Sequence, residues 1–183
     1  VGANAEILGV VPTPAVAALV EQKGADAGVM ISASHNSFEF NGIKLFSSTG
    51  YKLSDEMEEE IEELILDRPQ DMKLVSHGEV GKITYYRDAQ TDYIRYIMKS
   101  IKGNLTGLRI AIDCANGSAS ATAKRLFEGL GANVYVINSS PDGTNINDNC
   151  GSTHIGNLMQ FVVDKKCHAG LAFDGDADRC LAV

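Results

Sequence analysis

The stretch Ala169-Gly-Leu-Ala-Phe-Asp-Gly-Asp-Ala-Asp-Arg179 sets a short apolar segment directly before three aspartates at alternate positions. It closes a run in which strand and helix patterns take turns. Leu108 to Asp113 reads as a strand, Ser118 to Leu130 as a helix, Val134 to Asn138 as a strand, His154 to Lys166 as a helix and Ala169 to Phe173 as a strand. Short apolar runs suit buried strands, and longer segments with apolar residues on one face suit helices. Such alternation predicts a parallel sheet with right-handed crossovers. In open sheets of that kind ligands sit beyond the carboxyl ends of the strands, and the three aspartates follow their strand at that place.

Working toward the N-terminus, Tyr93, Ile94, Ile97, Met98 and Ile101 mark an amphipathic helix that should end near Lys102-Gly103. Arg68-Pro69-Gln70 and Ser76 to Lys82 lack helical periodicity and read as irregular, which places a boundary near Asp88. Ser54 should cap a helix with Asp55 and Glu56 in its first turn and Met57, Ile61, Leu64 and Ile65 on one face. Ahead of it, Ile7 to Val11, Ala27 to Ser32 and Ile43 to Ser47 read as strands, and Ala15 to Gln22 as a helix with Pro14 near its first turn. The reading is an α/β chain of two units, each with a mixed or parallel sheet and helices packed on it.

Composition narrows the function. The 183 residues are 44% hydrophobic and 22% charged, as in ordinary globular proteins. No stretch approaches the roughly 20 apolar residues that span a bilayer, so no membrane association is expected. A net charge of −8 with scattered Lys and Arg argues against nucleic acid as a partner. Cys114, Cys150, Cys167 and Cys180 form no C-x-x-C pair, and are read as free thiols of a reducing cytoplasmic protein. The chain opens at Val1 almost directly on a strand pattern and stops at Val183 within an apolar run, so we expect a piece of a longer protein cut at both ends.

Three segments can do chemistry. Asp174, Asp176 and Asp178 lie at every second position and would project to one side of an extended loop. Three like charges are tolerated together when a cation neutralises them, and all-oxygen ligation favours Mg²⁺ or Ca²⁺. An EF-hand does not fit, since Arg179 stands where that loop needs its glycine; a plain acidic turn is the simpler alternative. Ser32-Ala-Ser-His-Asn36 also follows a buried strand, yet Ser, His and Asn are ordinary turn residues. Lys44 taken alone reads as a solvated lysine. Asp113-Cys-Ala-Asn-Gly-Ser118 joins a strand to a helix, where free N–H groups could hold an anion or Ser118 or Asn116 could serve as an N-cap.

Taken together, Ile31-Ser-Ala-Ser-His-Asn36, Asn41-Gly-Ile-Lys44 and Asp174-Gly-Asp-Ala-Asp-Arg179 resemble the signatures of the α-D-phosphohexomutase superfamily, in order and approximate separation. Pro12-Thr-Pro-Ala-Val16, Gly28 to Asn36 and Asn145-Ile-Asn-Asp-Asn-Cys-Gly-Ser-Thr153 are similar to its bacterial amino-sugar branch. The resemblance implies that residues 1–88 are the C-terminal part of a first domain carrying the phosphoserine loop. Residues 89–183 would be a second domain with the metal loop, cut short at its end. It implies that Ser34 is phosphorylated and that Ser34, Asp174, Asp176 and Asp178 hold Mg²⁺. Lys44 would be the general acid/base, His35 and Arg179 catalytic neighbours, and Asn36 a substrate contact. The implied reaction interconverts glucosamine 6-phosphate and glucosamine 1-phosphate through a bisphosphate, making the hexosamine phosphate the partner molecule. The sister enzymes acting on mannose or glucose phosphates are the alternative. Sugar-contacting and phosphate-clamping loops would lie in third and fourth domains outside this chain, which alone would be inactive; a dimer or larger oligomer is left open. Two positions depart from the commoner family pattern: Ser37, where many relatives have proline, and Ala177, where many have glycine.

Overall fold

The computed structural model describes residues 2–183. In chain order the elements are β1 (Ala5–Ile7), α1 (Thr13–Lys23), β2 (Ala27–Ile31), β3 (Ile43–Ser47), α2 (Asp55–Leu66), β4 (Ile83–Tyr85), α3 (Ala89–Ser100), β5 (Arg109–Asp113), α4 (Ala123–Gly129), β6 (Asn133–Ile137), α5 (Gly156–Asp164), β7 (Ala169–Phe173) and β8 (Cys180–Ala182). Among the described residues, no helix is long and apolar enough to cross a membrane.

The C-terminal sheet has the order β6-β5-β7-β8. Strand β5 runs parallel to both β6 and β7, and β8 returns antiparallel to β7. The expected parallel sheet is therefore mixed at one edge, because the aspartate loop turns the chain back on itself and pairs Phe173 with Cys180. Side chains of β5 alternate between faces, as strand geometry requires. Ile110 and Ile112 pack with Ala119, Ala123 and Phe127, whereas Ala111 packs with Leu158 and Ala172. Burial on both faces explains why these strands read as continuous apolar runs.

The helices on this sheet are shorter than their sequence patterns. Ser118 to Leu130 splits into a 3-10 turn, Ser118–Ala121, and α4, with Thr122 at φ −128 interrupting the spiral. The helix expected from His154 starts at Gly156, since His154 at φ −138 still belongs to the exit of a preceding 3-10 turn.

In the N-terminal half, β1 pairs in parallel with β4, and β2 with β3 in an antiparallel ladder. The strand expected at Ile7 to Val11 is displaced to Ala5–Ile7: Gly9 takes φ +74 and turns the chain, so Val11 drops into the core. Helix α1 starts after Pro12 with Pro14 in its first turn, and ends on Gly24 at φ +62, whose N–H reaches Glu21 O. Its Ala15, Val16, Ala18, Leu19 and Val20 form the centre of this core, joined by Ala89 and Tyr93 of α3. Arg125 of α4 donates to Gln90 and Thr91 at the start of α3, so α3 touches both halves. Helix α2 is capped by Ser54 Oγ as expected, but it buries no residue; Met57 and Ile65 on its apolar face are half exposed.

Candidate functional site

The acidic loop leaves the carboxyl end of β7 as a tight turn in which Ala177 N donates to Asp174 O at 3.0 Å. The carboxylates are thus gathered by a turn, and not by the pleat of an extended segment as the sequence spacing led us to expect. Ala177 takes φ +55, a conformation that disfavours residues with a Cβ. One carboxylate oxygen from each of Asp174, Asp176 and Asp178 lies within 4.8 Å of the other two. Asp174 and Asp176 are each 1% exposed.

The serine loop approaches this cluster from the end of β2. Ser34 sits at φ +56, with its N–H bonded to Ser32 Oγ at 2.9 Å. Its Oγ donates to Asp174 Oδ2 at 2.8 Å. Lys44, the second residue of β3, places Nζ 2.5 Å from Asp176 Oδ2 and 3.3 Å from Asp178 Oδ2. Arg179 donates its backbone N–H to Asp174 Oδ1 at 3.2 Å, and its Nε lies 3.8 Å from both Asp174 Oδ2 and Asp178 Oδ1. His35 Nδ1 is 3.3 Å from Arg179 Nη1. Asn36 is exposed and joins the network through its carbonyl, which accepts from Asn147. The geometry brings together Ser34, Lys44, Asp174, Asp176, Asp178, Arg179 and His35, and sets Asn36 at the edge.

Charge is not balanced here. Three carboxylates face the two cations Lys44 and Arg179, which leaves one negative charge in a largely desolvated place. Burial pushes the Asp174 carboxyl up; bonds from Ser34 and Arg179 oppose that, and Asp176 and Asp178 reinforce it. Burial also works against ionised Asp176, but the bonds from Lys44 and Thr13 outweigh it and hold that carboxyl below its usual range. Lys44 pays a desolvation penalty of its own, overcome by Asp176 and Asp178, so its ammonium is held more firmly than a free lysine's. Among the described residues, Asp176 Oδ1 is buried without a hydrogen-bond partner, which is costly for a carboxylate. An all-oxygen donor set with one orphaned, buried oxygen fits a hard divalent cation such as Mg²⁺.

Several residues around the site carry more than their sequence signal suggested. Thr13 donates its Oγ1 to Asp176 Oδ2 at 2.6 Å and its N–H to Asp176 O at 2.8 Å. Asn147 gives one amide hydrogen to Ser34 O and the other to Asn36 O, each at 2.9 Å. Both lie in quoted motifs, but a lone Thr or Asn has no pattern that announces such a bond. Gly175 and Gly117 are pressed together: a Cβ on Gly117 would come within 2.2 Å of Gly175 O, and one on Gly175 within 2.6 Å of Ser34 O.

Neither reading of Asp113 to Ser118 survives. The N–H of Ala115 goes to Asp113 Oδ1, that of Asn116 to Asn138 O, that of Gly117 to Cys114 O and that of Ser118 to Gly175 O, so none of these is free for an anion. Among the described residues, no side chain caps the 3-10 turn that follows, and Ser118 Oγ is buried without a partner. Asp113 itself is consumed by Ala115, Asn138 and Gly151. It braces the loops and holds no spare oxygen. Burial pushes the Cys114 thiol up to about 12 and the Cys150 thiol to about 11, so both are inert packing groups.

Fold and site define a two-part α/β protein in which a serine loop and an acidic loop meet at strand ends. The chain belongs to the phosphoglucomutase/phosphomannomutase family: residues 1–71 match its alpha/beta/alpha domain I and residues 87–183 its alpha/beta/alpha domain II. Phosphoglucosamine mutase of Clostridium beijerinckii is 56% identical over the whole chain, and that of Clostridium botulinum 54%. The chain spans 41% of the length of these relatives. Among solved structures, a phosphoglucomutase/phosphomannomutase family protein from Burkholderia thailandensis matches with TM-score 0.81 and 24% identity, covering 98% of this chain and 40% of that one. Aspergillus fumigatus N-acetylphosphoglucosamine mutase, solved in complex with GlcNAc-6P and magnesium, matches with TM-score 0.59 and 18% identity, covering 93% of this chain and 46% of that one.

Proposed function

We propose that this chain is the serine-loop and acidic-loop part of a phosphoglucosamine mutase, interconverting glucosamine 6-phosphate and glucosamine 1-phosphate. The observation that carries the reading is the 2.8 Å bond from Ser34 Oγ to Asp174 Oδ2, made across the two halves at the mouth of a three-aspartate cluster. The names of the clostridial relatives supply the substrate class. The catalytic loops named here act with the remaining length of the intact protein, where the sugar and its distal phosphate would be held. Free, mostly buried or half-buried thiols agree with a cytoplasmic location.

In this mechanism Ser34 carries the phosphoryl group. The free hydroxyl of the sugar phosphate attacks phosphorus and gives up its proton, the bond to Ser34 Oγ breaks and that oxygen leaves as the serine hydroxyl, so that one proton is lost and one gained, and a glucosamine bisphosphate forms; the other phosphoryl group then returns to Ser34. Phosphorylation adds about two negative charges to a site already one charge negative. Asp174, Asp176, Asp178 and a phosphate oxygen on Ser34 would hold Mg²⁺, which when bound neutralises this charge and stabilises the transferring group. Lys44, kept as an ammonium by Asp176 and Asp178, is in the state that can donate a proton to a departing oxygen. Arg179 adds positive charge beside Ser34, and His35 steadies that guanidinium. Asn36, exposed at the rim, is placed to meet substrate.

The test is kcat/KM of the intact protein, with Mg²⁺, on glucosamine 6-phosphate, mannose 6-phosphate and glucose 6-phosphate, alongside Ser34→Ala. We expect preference for the amino sugar and a loss of about 10³-fold or more in the variant. Preference for a neutral sugar would move the chain to a sister enzyme of the family. Activity surviving Ser34→Ala would sink the phosphoserine mechanism. The 183-residue chain by itself is expected to be inert, and turnover by it would refute the need for the remaining length.

A further inference from the structure

We infer that Thr13, at the start of α1, is the positioning residue for Asp176: its hydroxyl fixes the carboxylate that a divalent cation is to meet. The inference rests on the metal reading given above and concerns which residue of this chain prepares the site.

Thr13 and Asp176 are 163 residues apart and 6% and 1% exposed. Two bonds join them. The Thr13 hydroxyl donates to Asp176 Oδ2 at 2.6 Å, and the Thr13 N–H, one of the free donors at the head of an 11-residue helix, donates to Asp176 O at 2.8 Å. The neighbouring Pro14 has no N–H to contribute. Backbone and side chain of Asp176 are thereby gripped from one residue.

The division of labour on the carboxylate matters. Oδ2 receives both protein donors, Thr13 Oγ1 and Lys44 Nζ, while Oδ1 is buried with none. A carboxylate free to rotate would share its donors between both oxygens and leave neither bare. With Thr13 holding Oδ2, and Lys44 on the same atom, Oδ1 keeps its lone pairs for a ligand that the protein does not supply. Bonds that orient a metal-binding side chain in this way commonly decide affinity by about 10–100-fold. Thr13 touches no reacting atom in this arrangement and acts only through Asp176.

The arrangement also joins the halves. Thr13 begins the helix that forms the core of the N-terminal half, and Asp176 belongs to the loop of the C-terminal sheet. A cation bound at Asp176 would tighten a contact on which the approach of Ser34 and Lys44 depends.

The experiment is a Mn²⁺ titration of the intact protein followed by electron paramagnetic resonance of free Mn²⁺, with no substrate present. Thr13→Val keeps the shape and removes the hydroxyl, and we expect it to weaken Mn²⁺ about 10–100-fold. Thr13→Ser restores the donor and should bind within about threefold of the parent, a difference of well under one pKd unit. Circular dichroism and the melting temperature establish that each variant is folded. If Thr13→Val does not fold, Thr13→Ala repeats the comparison with the smaller side chain.

Undiminished Mn²⁺ binding by the folded Val or Ala variant would overturn the inference and leave the metal reading intact. Equal losses in the Val and Ser variants would also overturn it, since Ser keeps the hydroxyl and a loss there would assign the effect to the packing of the side chain and not to the donor. A parent protein that binds no Mn²⁺ would overturn the metal reading and this inference with it.

Discussion

Strand β5 is covered on both faces, with Ala111 and Ile112 fully buried, whereas in the β2–β3 hairpin Val29, Ile31 and Ile43 are 57%, 66% and 71% exposed. The two loops of the site grow from these unlike supports. The acidic loop follows β7, the neighbour of β5 in a four-stranded sheet. The serine loop follows β2, in a two-stranded ladder with a bare apolar face. A two-stranded ladder is marginal by itself. The ladder rests on α1 through Met30 and Phe46, and the serine loop at its end is held besides by bonds to the other half: Ser34 to Asp174, Lys44 to Asp176 and Asp178, and Asn147 to Ser34 and Asn36. One half is the template and the other is docked on it.

The largest expected effect breaks the template. Leu158 on α5 is fully buried against Ala111 and Ala172, and Leu158→Ala should cost about 2–5 kcal/mol in chemical denaturation. Val29→Ser on the exposed hairpin face should stay within about 0.5 kcal/mol. Equal losses at the two positions would refute the contrast in support. A middle-sized effect breaks the docking. Asn147 sits at φ +58, so Asn147→Gly removes the side chain without backbone strain. Loss of its two bonds should cost about 1–3 kcal/mol and speed amide exchange around Ser34 and Asn36, with β5 amides unchanged. Exchange that rises equally in β5 would show that the halves unfold as one.

What could be read from sequence follows the same division. The C-terminal strands were legible because burial on both faces leaves continuous apolar runs, and the acidic loop because like charges at short spacing demand an explanation. Strand β4, a three-residue element paired in parallel with β1, leaves no pattern of its own. Its partner across almost the whole N-terminal half is what makes it a strand. The same holds for Thr13 and Asn147, whose roles exist only once residues far apart in the chain meet. Ser34, His35 and Lys44 were legible by resemblance to a family, since a serine and a lysine near turns are individually ordinary. The turn that gathers the aspartates escaped the pleat argument, and the one sign of its left-handed geometry was that Ala177 stands where many members of the resembled family have glycine.

Ala177 supplies the smallest effect and the sharpest question about the template. At φ +55 it is the middle of the turn between Asp176 and Asp178. The left-handed conformation costs a residue with a Cβ about 1–2 kcal/mol. Ala177→Gly removes that cost but frees the unfolded chain by about 0.4–1 kcal/mol, and it also gives up the packing of the Ala177 methyl on the Ile112 cluster. The balance is a stabilisation of about 0.5 kcal/mol, read as a small rise in melting temperature. Because the turn is imposed by the sheet and by the Gly117–Gly175 contact, Mn²⁺ affinity should not move. A large gain in affinity would mean that Ala177 distorts the carboxylates and that the acidic loop, like the serine loop, is shaped by what it docks against. A loss of stability would mean that the methyl contact outweighs the strain, and would place the template's rigidity in its packing.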